Sequence, residues 1–245
     1  MLSECYVFYL YVYSLQTCVK IGGFVEFVVY LMYVRTSHST VRTKAGQEMK
    51  RNFLITGAAA GIGLEYSRLM LEEGGRVVMT DINSQLGAEQ EAKLRAEFGE
   101  SQVKFIKLDV RAEAEWIEVW EAAELWLESP VEVLINNAGL FSRTDWRPMF
   151  EVNLGGLIVG SLLAVSRMGL RGGGRGGTII NTASLAGILT GGFHTPVEEV
   201  YTATKQAVVG WTRSLGEKNS VWTEDRVRQQ SGPAEWGTLE VRESH

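Results

Sequence analysis

Phe53-Leu54-Ile55-Thr56-Gly57-Ala58-Ala59-Ala60-Gly61-Ile62-Gly63 is the stretch on which the reading of the fold turns. Phe53 to Ile55 is an apolar run suited to a strand buried on both faces. Ile62 to Leu71 then carries apolar residues at helical spacing. Between them stands a Gly-x-x-x-Gly-x-Gly turn with glycines at 57, 61 and 63. A strand, a glycine turn and a helix present free backbone N–H groups and a positive helix end to a phosphate. Gly57 permits the tight turn, Gly61 lets a pyrophosphate approach the backbone, and Gly63 lets helix and strand pack closely. Ala60 and Ile62 lie within the same cradle. Such turns also occur without a ligand, so the weight rests on what surrounds this one.

Moving outward, Arg76 to Asp81 reads as a second strand, Gln85 to Phe98 as a charged amphipathic helix and Val103 to Val110 as a third strand. Glu113 to Leu127 places Trp116, Trp120, Ala123 and Leu127 on one helical stripe, a pattern of core packing. Val131 to Ile135 is a fourth strand, followed by Asn136-Asn137-Ala138-Gly139. Met149 to Met168 is a long apolar helix containing Asn153, and Thr178 to Ala183 is a fifth strand ending at Ser184. The loop over 185–199 leads to Tyr201-Thr202-Ala203-Thr204-Lys205 at the start of a helix that runs to about Leu215. Strands alternating with helices predict an α/β protein with a doubly wound parallel sheet in three layers. Ligands of such sheets bind at the C-terminal ends of the strands. The glycine turn, Asp81, Asp109, the Asn-Asn-Ala-Gly stretch and Ser184 would all meet there.

The chain's 245 residues, 45% hydrophobic and 22% charged, suit one domain of this size. A net charge of −5 with no basic block argues against nucleic acid as a partner. Cys5 and Cys18 form no disulfide framework, and His38, His194 and His245 are too scattered for a zinc cluster, so no metal is expected. A reduced, cytoplasmic protein is the expectation.

Residues 1–48 read as a separate hydrophobic and aromatic extension. Cys5 to Leu15 and Ile21 to Val34 are apolar but fall short of the roughly 20 residues of a spanning helix. Joined, they would centre Lys20 in a bilayer, which costs about 3 kcal/mol. Membrane contact through residues 1–34 is therefore disfavoured, and the domain is expected to begin at Met49.

Asp81, at a strand end, can accept hydrogen bonds from both hydroxyls of an adenosine ribose and repels a 2′-phosphate, which selects NAD over NADP. A turn or helix-cap aspartate would fit the same position. Tyr201 and Lys205, four residues apart, share a helical face. A free phenol has a pKa of about 10 and is a poor base; a neighbouring ammonium favours the phenolate.

Residues 49–216 resemble the short-chain dehydrogenase/reductase family, whose motifs read here as Thr56 to Gly63, Asn136 to Gly139, Ser184, and Tyr201 to Lys205. Val131 to Gly139, Gly177 to Gly187 and Val208 to Ser214 are most similar to its NAD-dependent 15-hydroxyprostaglandin dehydrogenase group. The resemblance implies a Rossmann fold, NAD as cofactor and a secondary alcohol, lipid-like in that group, as substrate. It implies that Tyr201 takes the hydroxyl proton and that Ser184 holds the substrate oxygen. Lys205 would bind the nicotinamide ribose and lower the Tyr201 pKa, and Asn153 would support a proton-relaying water. Asp109 and Val110 would lie near adenine, with Asn137, Ala138 and Gly139 lining the cofactor. A homodimer through the helices around 149–168 and 199–215 is implied as well. Ser184 could also be a strand-end cap, and Asn153 a satisfied helix amide.

The chain departs from the family in two places. The segment between Ser184 and Tyr201 is longer than usual, and Glu198 stands where the prostaglandin group carries Gln, so a carboxylate would repel an acidic lipid. After Leu215 the polar stretch 217–245 lacks the expected further strands and substrate lid, which predicts truncation after the fifth strand and the helix that follows it, with that strand exposed as a sheet edge. The alternative reading is a catalytically incomplete, dinucleotide-binding or dimerising relative.

Overall fold

The computed structural model describes residues 31–35, 51–169, 173–188 and 195–220, with side chains from Arg51 onward and as far as Gly216. In chain order the strands are β1 (Leu31–Arg35), β2 (Asn52–Thr56), β3 (Arg76–Asp81), β4 (Val103–Lys107), β5 (Val133–Asn136) and β6 (Thr178–Thr182). The helices are α1 (Gly61–Glu72), α2 (Ser84–Phe98), α3 (Glu113–Leu127), α4 (Arg147–Phe150), α5 (Leu157–Met168) and α6 (Pro196–Ser220).

The sheet order is β1-β6-β5-β2-β3-β4. Strands β2 to β6 are parallel. Alternation along β2 sorts its side chains onto two faces. Leu54 joins Trp116, Trp120, Leu134 and Ile179 on one face, whereas Phe53 and Ile55 join Met79, Leu94 and Val133 on the other. Helices α3 and α5 cover the first face and α1 and α2 the second, which gives the expected three layers. From β2 the chain runs outward through β3 and β4, then returns to place β5 on β2's other side. That reversal opens a crevice above β2 and β5, where such sheets bind ligands.

The bounds of β3 and α3 match the sequence expectation, and the tryptophan stripe is core: Trp116 and Trp120 are fully buried. Strands β4, β5 and β6 have bounds shifted by up to three residues from those expected, and three features differ in kind. The long apolar helix is not uniform: Glu151–Gly156 forms a π-helical turn between α4 and α5. Helix α6 begins at Pro196, well before Tyr201. A Thr195-x-x-Glu198 capping box starts it, and Pro196 occupies the first turn, where a missing N–H is harmless.

The third difference corrects an expectation directly. Strand β6 is not an exposed edge, because β1 pairs with it antiparallel from Leu31↔Thr182 to Arg35↔Thr178. A segment of the N-terminal extension thus satisfies the backbone groups that would otherwise be left open. The polar stretch expected beyond Gly216 is described only as far as Ser220, and the rest of it lies outside the described residues.

Arg147–Met168 as a whole is long and apolar enough to cross a membrane by length and composition. Its buried side, Leu157, Gly160, Ser161, Ala164 and Met168, packs into the domain as a core helix would.

Candidate active site

The cradle begins where β2 ends. Gly57 and Gly61 have φ of +64° and +55°, a region costly for residues with a Cβ. A Cβ at Gly57 would sit 2.8 Å from the Ala138 Cα, so the turn is packed against the segment after β5. A Cβ at Gly63 would meet the Gly57 carbonyl oxygen at 2.1 Å and Asn137 Nδ2 at 2.6 Å. At Gly61, by contrast, nothing lies within 4 Å. The α1 N-terminus, with Ala60 as N-cap, has no side-chain cap. Helix N–H groups without a protein acceptor, beside an open glycine, fit a pyrophosphate. Ile62, 40% exposed, borders this opening.

Thr56 and Asn137 hold the cradle. Thr56 Oγ1 accepts from the backbone N–H groups of Asn137 and Ala138, both at 3.0 Å. Asn137 Nδ2 donates to the carbonyls of Thr56 at 3.1 Å and Gly57 at 3.2 Å. The side chain of Asn137 thus fixes the turn, and Ala138 and Gly139 continue the same wall.

Asp81 closes the far side. Its Oδ2 accepts from Ala59 N–H at 3.1 Å and its Oδ1 from Asn83 N–H at 2.9 Å. The α2 cap is Asn83, whose side chain accepts from Leu86 N–H, so Asp81 is not the helix cap. Each carboxylate oxygen of Asp81 retains a lone pair for a hydroxyl donor. This arrangement fits the ribose of NAD.

Asp109 is more constrained than the sequence suggested. Arg111 grips it in a two-toothed ion pair, with Nε at 2.9 Å from Oδ1 and Nη2 at 2.6 Å from Oδ2. That guanidinium holds the Asp109 carboxyl below its ordinary range. Val110 is buried against Gly156, and its carbonyl accepts from Trp116 Nε1 at 2.9 Å. Arg111 was not singled out in the sequence; its position two residues from Asp109 was the available signal.

At the other end of the crevice, Ser184, Tyr201 and Lys205 come together. All three are buried, with Tyr201 8% and Lys205 4% exposed. The Ser184 and Tyr201 hydroxyls share a hydrogen bond. Ser184 Oγ also accepts from Ala186 N–H at 3.2 Å, so this candidate residue is at the same time a strand-end cap. Lys205 Nζ donates to the Thr182 carbonyl at 2.9 Å and lies 5.7 Å from the Tyr201 ring centre. Burial lowers the Lys205 ammonium to about 8. Burial also pushes the Tyr201 phenol up, and the Ser184 hydrogen bond opposes that shift. The phenol is thus shifted up rather than down: loss of water around it outweighs the Ser184 hydrogen bond, and the expected lowering by Lys205 is not found.

Asn153 sits in the π-helical turn, fully buried. Its Oδ1 accepts from Leu140 N–H at 2.7 Å, and its Nδ2 donates to the Leu140 carbonyl at 2.9 Å. The amide pairs with Leu140 as a strand neighbour would, anchoring the segment that follows Gly139. A mid-helix π turn often marks a functional position.

Phe141, which sequence reasoning passed over, borders the phenol. Phe141 meets the Tyr201 ring edge-on, with centroids 5.4 Å apart. Glu198, expected to repel acidic substrates, faces Arg143 Nε at 3.1 Å and caps α6 through Thr195. Its charge is thus met by a cation, which corrects that expectation. Thr-x-x-Glu before an apolar helix was the readable signal.

Comparison with known proteins agrees with this geometry. The family model for short chain dehydrogenase matches residues 51–225. Human 15-hydroxyprostaglandin dehydrogenase [NAD(+)] is 34% identical over 163 residues, covering 66% of this chain and 59% of its own length. The 3-beta-hydroxysteroid dehydrogenase of Comamonas testosteroni is 34% identical over 171 residues, covering 66% of this chain and 61% of its own. A crystal structure of a short chain dehydrogenase/reductase from Burkholderia phymatum in complex with NAD superposes with a TM-score of 0.59 at 29% identity. That superposition covers 69% of this chain and 60% of the other. The chain therefore spans about three fifths of the length of these relatives.

Proposed function

Because this chain belongs to the short-chain dehydrogenase family, we propose that it oxidises a secondary alcohol to a ketone with NAD, using Tyr201 as the base. The observation that carries the reading is the meeting of Ser184, Tyr201 and Lys205 at the C-terminal edge of the sheet, beside a glycine cradle with an uncapped helix end. Names of relatives that act on hydroxyprostaglandins and hydroxysteroids support an alcohol substrate.

Bound nicotinamide would supply the hydride acceptor. Gly57, Ala60, Gly61, Ile62 and Gly63 would hold the pyrophosphate. Asp81 would take the ribose hydroxyls and disfavour a 2′-phosphate. Asp109 and Val110 would border the adenine. Ser184 would donate a hydrogen bond to the substrate oxygen and steady the charge that develops there. Tyr201 would accept the hydroxyl proton, which needs a phenolate at working pH. Lys205 lies close enough to favour that anion once its ammonium is charged. Asn153, through Leu140, would keep the loop beside the phenol in place rather than act on the proton by its own amide.

Exposed Phe141, edge-on to the Tyr201 ring, supports a hydrophobic, lipid-like substrate. A homodimer through α5 and α6 in the cytoplasm completes the reading; Leu162 of α5 is 48% exposed.

The test is NADH formation followed by absorbance with a panel of secondary alcohols, including hydroxylated fatty acids and sterols. Turnover that falls by about 10³-fold in Tyr201→Phe, with NAD affinity retained, is expected of a general base. Equal turnover in the two proteins rejects Tyr201 as base.

A further inference from the structure

We propose that Glu198 is a positioning residue for Tyr201, a bracket joining the loop after β5 to the first turn of α6. The inference rests on the dehydrogenase reading for its kinetic consequence, although the bracket itself is visible without it.

Glu198 is 5% exposed, and both of its carboxylate oxygens are engaged. Oε2 accepts from Thr195 N–H at 3.0 Å and from Thr195 Oγ1 at 3.2 Å, while Glu198 N–H donates to Thr195 Oγ1 at 3.3 Å. These bonds make a capping box, which by itself only starts the helix. Oε1 does something the cap does not require. It holds Arg143 Nε at 3.1 Å, from a side chain that is itself 78% exposed. Removing a carboxylate from water costs free energy unless a cation meets it, so the loop carrying Arg143 is drawn to α6.

That loop is held at a second point. Asn153 clamps Leu140 through both its N–H and its carbonyl, at 2.7 Å and 2.9 Å. Phe141 lies between the two anchors, and its ring presses edge-on against Tyr201 at 5.4 Å with an interplanar angle of 80°. Glu198 and Tyr201, three residues apart on α6, share a side of the helix. The carboxylate thus fixes both neighbours of the phenol, its own helical turn and the aromatic wall opposite. Small displacements of a reacting group are costly in rate, so a bracket of this kind affects kcat more than cofactor binding.

Full-length Glu198→Gln, Arg143→Ala and the double variant test this. Gln at the third helical position still supports a capping box, so Glu198→Gln removes the ion pair and keeps the helix start. Each single variant is expected to lower kcat by about fivefold, the equivalent of an ion pair near 1 kcal/mol. NAD affinity should stay within about twofold of wild type, since neither side chain touches the cradle. The double variant should be no slower than the slower single, because both lose one shared contact. Hydrogen exchange at the amides of 140–146 should be faster in all three. Wild-type kcat in either single, or losses that multiply in the double, overturns the proposal. A wild-type protein that turns over no alcohol defeats the dehydrogenase reading instead. The exchange measurement then decides the bracket alone, and wild-type protection in the variants overturns it.

Discussion

Replacing Gly63 by alanine should weaken the fold, whereas the same change at Gly61 should weaken cofactor binding. A Cβ at Gly63 falls 2.1 Å from the Gly57 carbonyl oxygen and 2.6 Å from Asn137 Nδ2. The first is backbone and cannot rotate away, so α1 must move off the turn. Overpacking of this kind costs about 1–3 kcal/mol. The two bonds from Asn137 Nδ2 to Thr56 and Gly57 are disturbed together, at about 1 kcal/mol each. Alanine's better helix propensity returns up to about 1 kcal/mol. The sum is a loss of about 2–4 kcal/mol, a large part of a typical domain's 5–15 kcal/mol. Gly61→Ala meets no atom within 4 Å and carries only the strain of its φ of +55°. That strain is about 1–2 kcal/mol, but the new methyl group stands in the open cradle. Urea unfolding followed by tryptophan fluorescence separates the two, with the Gly63→Ala midpoint lower by about 1 M at an unchanged slope. Calorimetry with NAD should find Gly61→Ala, still folded, at least about tenfold weaker. A Gly63→Ala protein as stable as wild type would refute the close packing of α1 on the turn.

Lys205 makes stability depend on pH. Its folded value of about 8 lies below the ordinary ~10.4, so folding is opposed while the ammonium is charged. As pH rises from 8 to about 10.4 the unfolded chain still holds the proton that the folded chain has released, so stability rises, by up to about 3 kcal/mol. Lys205→Met should abolish that rise in urea midpoints; the same pH dependence in both proteins would contradict the assignment. Removing residues 1–48 should uncover β6, lower Tm and promote aggregation in light scattering, because the ladder from Leu31 to Arg35 is lost. An unchanged, monodisperse protein would mean that β1 contributes nothing. Asp81→Ser should shift the NADP-to-NAD affinity ratio by about tenfold or more towards NADP, read by calorimetry, as expected for loss of charge-assisted bonds to a ribose. An unchanged ratio would remove Asp81 from the cofactor site.

Much of this site was legible because its residues act through backbone pattern. The buried run of β3 and the tryptophan stripe of α3 carry their periods in the sequence, and their bounds followed. The glycines of the cradle declare themselves because only glycine tolerates those angles and approaches. What escaped depends on partners distant in the chain. Strand β1 is defined by its register on β6, and an apolar run does not announce its neighbour. The π-helical turn at Asn153 answers to the Leu140 backbone across the crevice. The Tyr201 phenol shifts upward because its burial outweighs the Ser184 hydrogen bond, a balance that spacing along a helix does not reveal. Glu198 was local and readable as a capping box, yet its tie to Arg143 needed the fold.

The central claim is hydride transfer from a carbinol carbon, and isotope transfer tests it most directly. A secondary alcohol deuterated at that carbon is incubated with NAD and the purified protein, and the reduced cofactor is weighed by mass spectrometry. The account predicts NADH heavier by one deuterium, formed by wild type and at most in trace by Tyr201→Phe. Undeuterated NADH, or none from a folded protein that binds NAD, would contradict it.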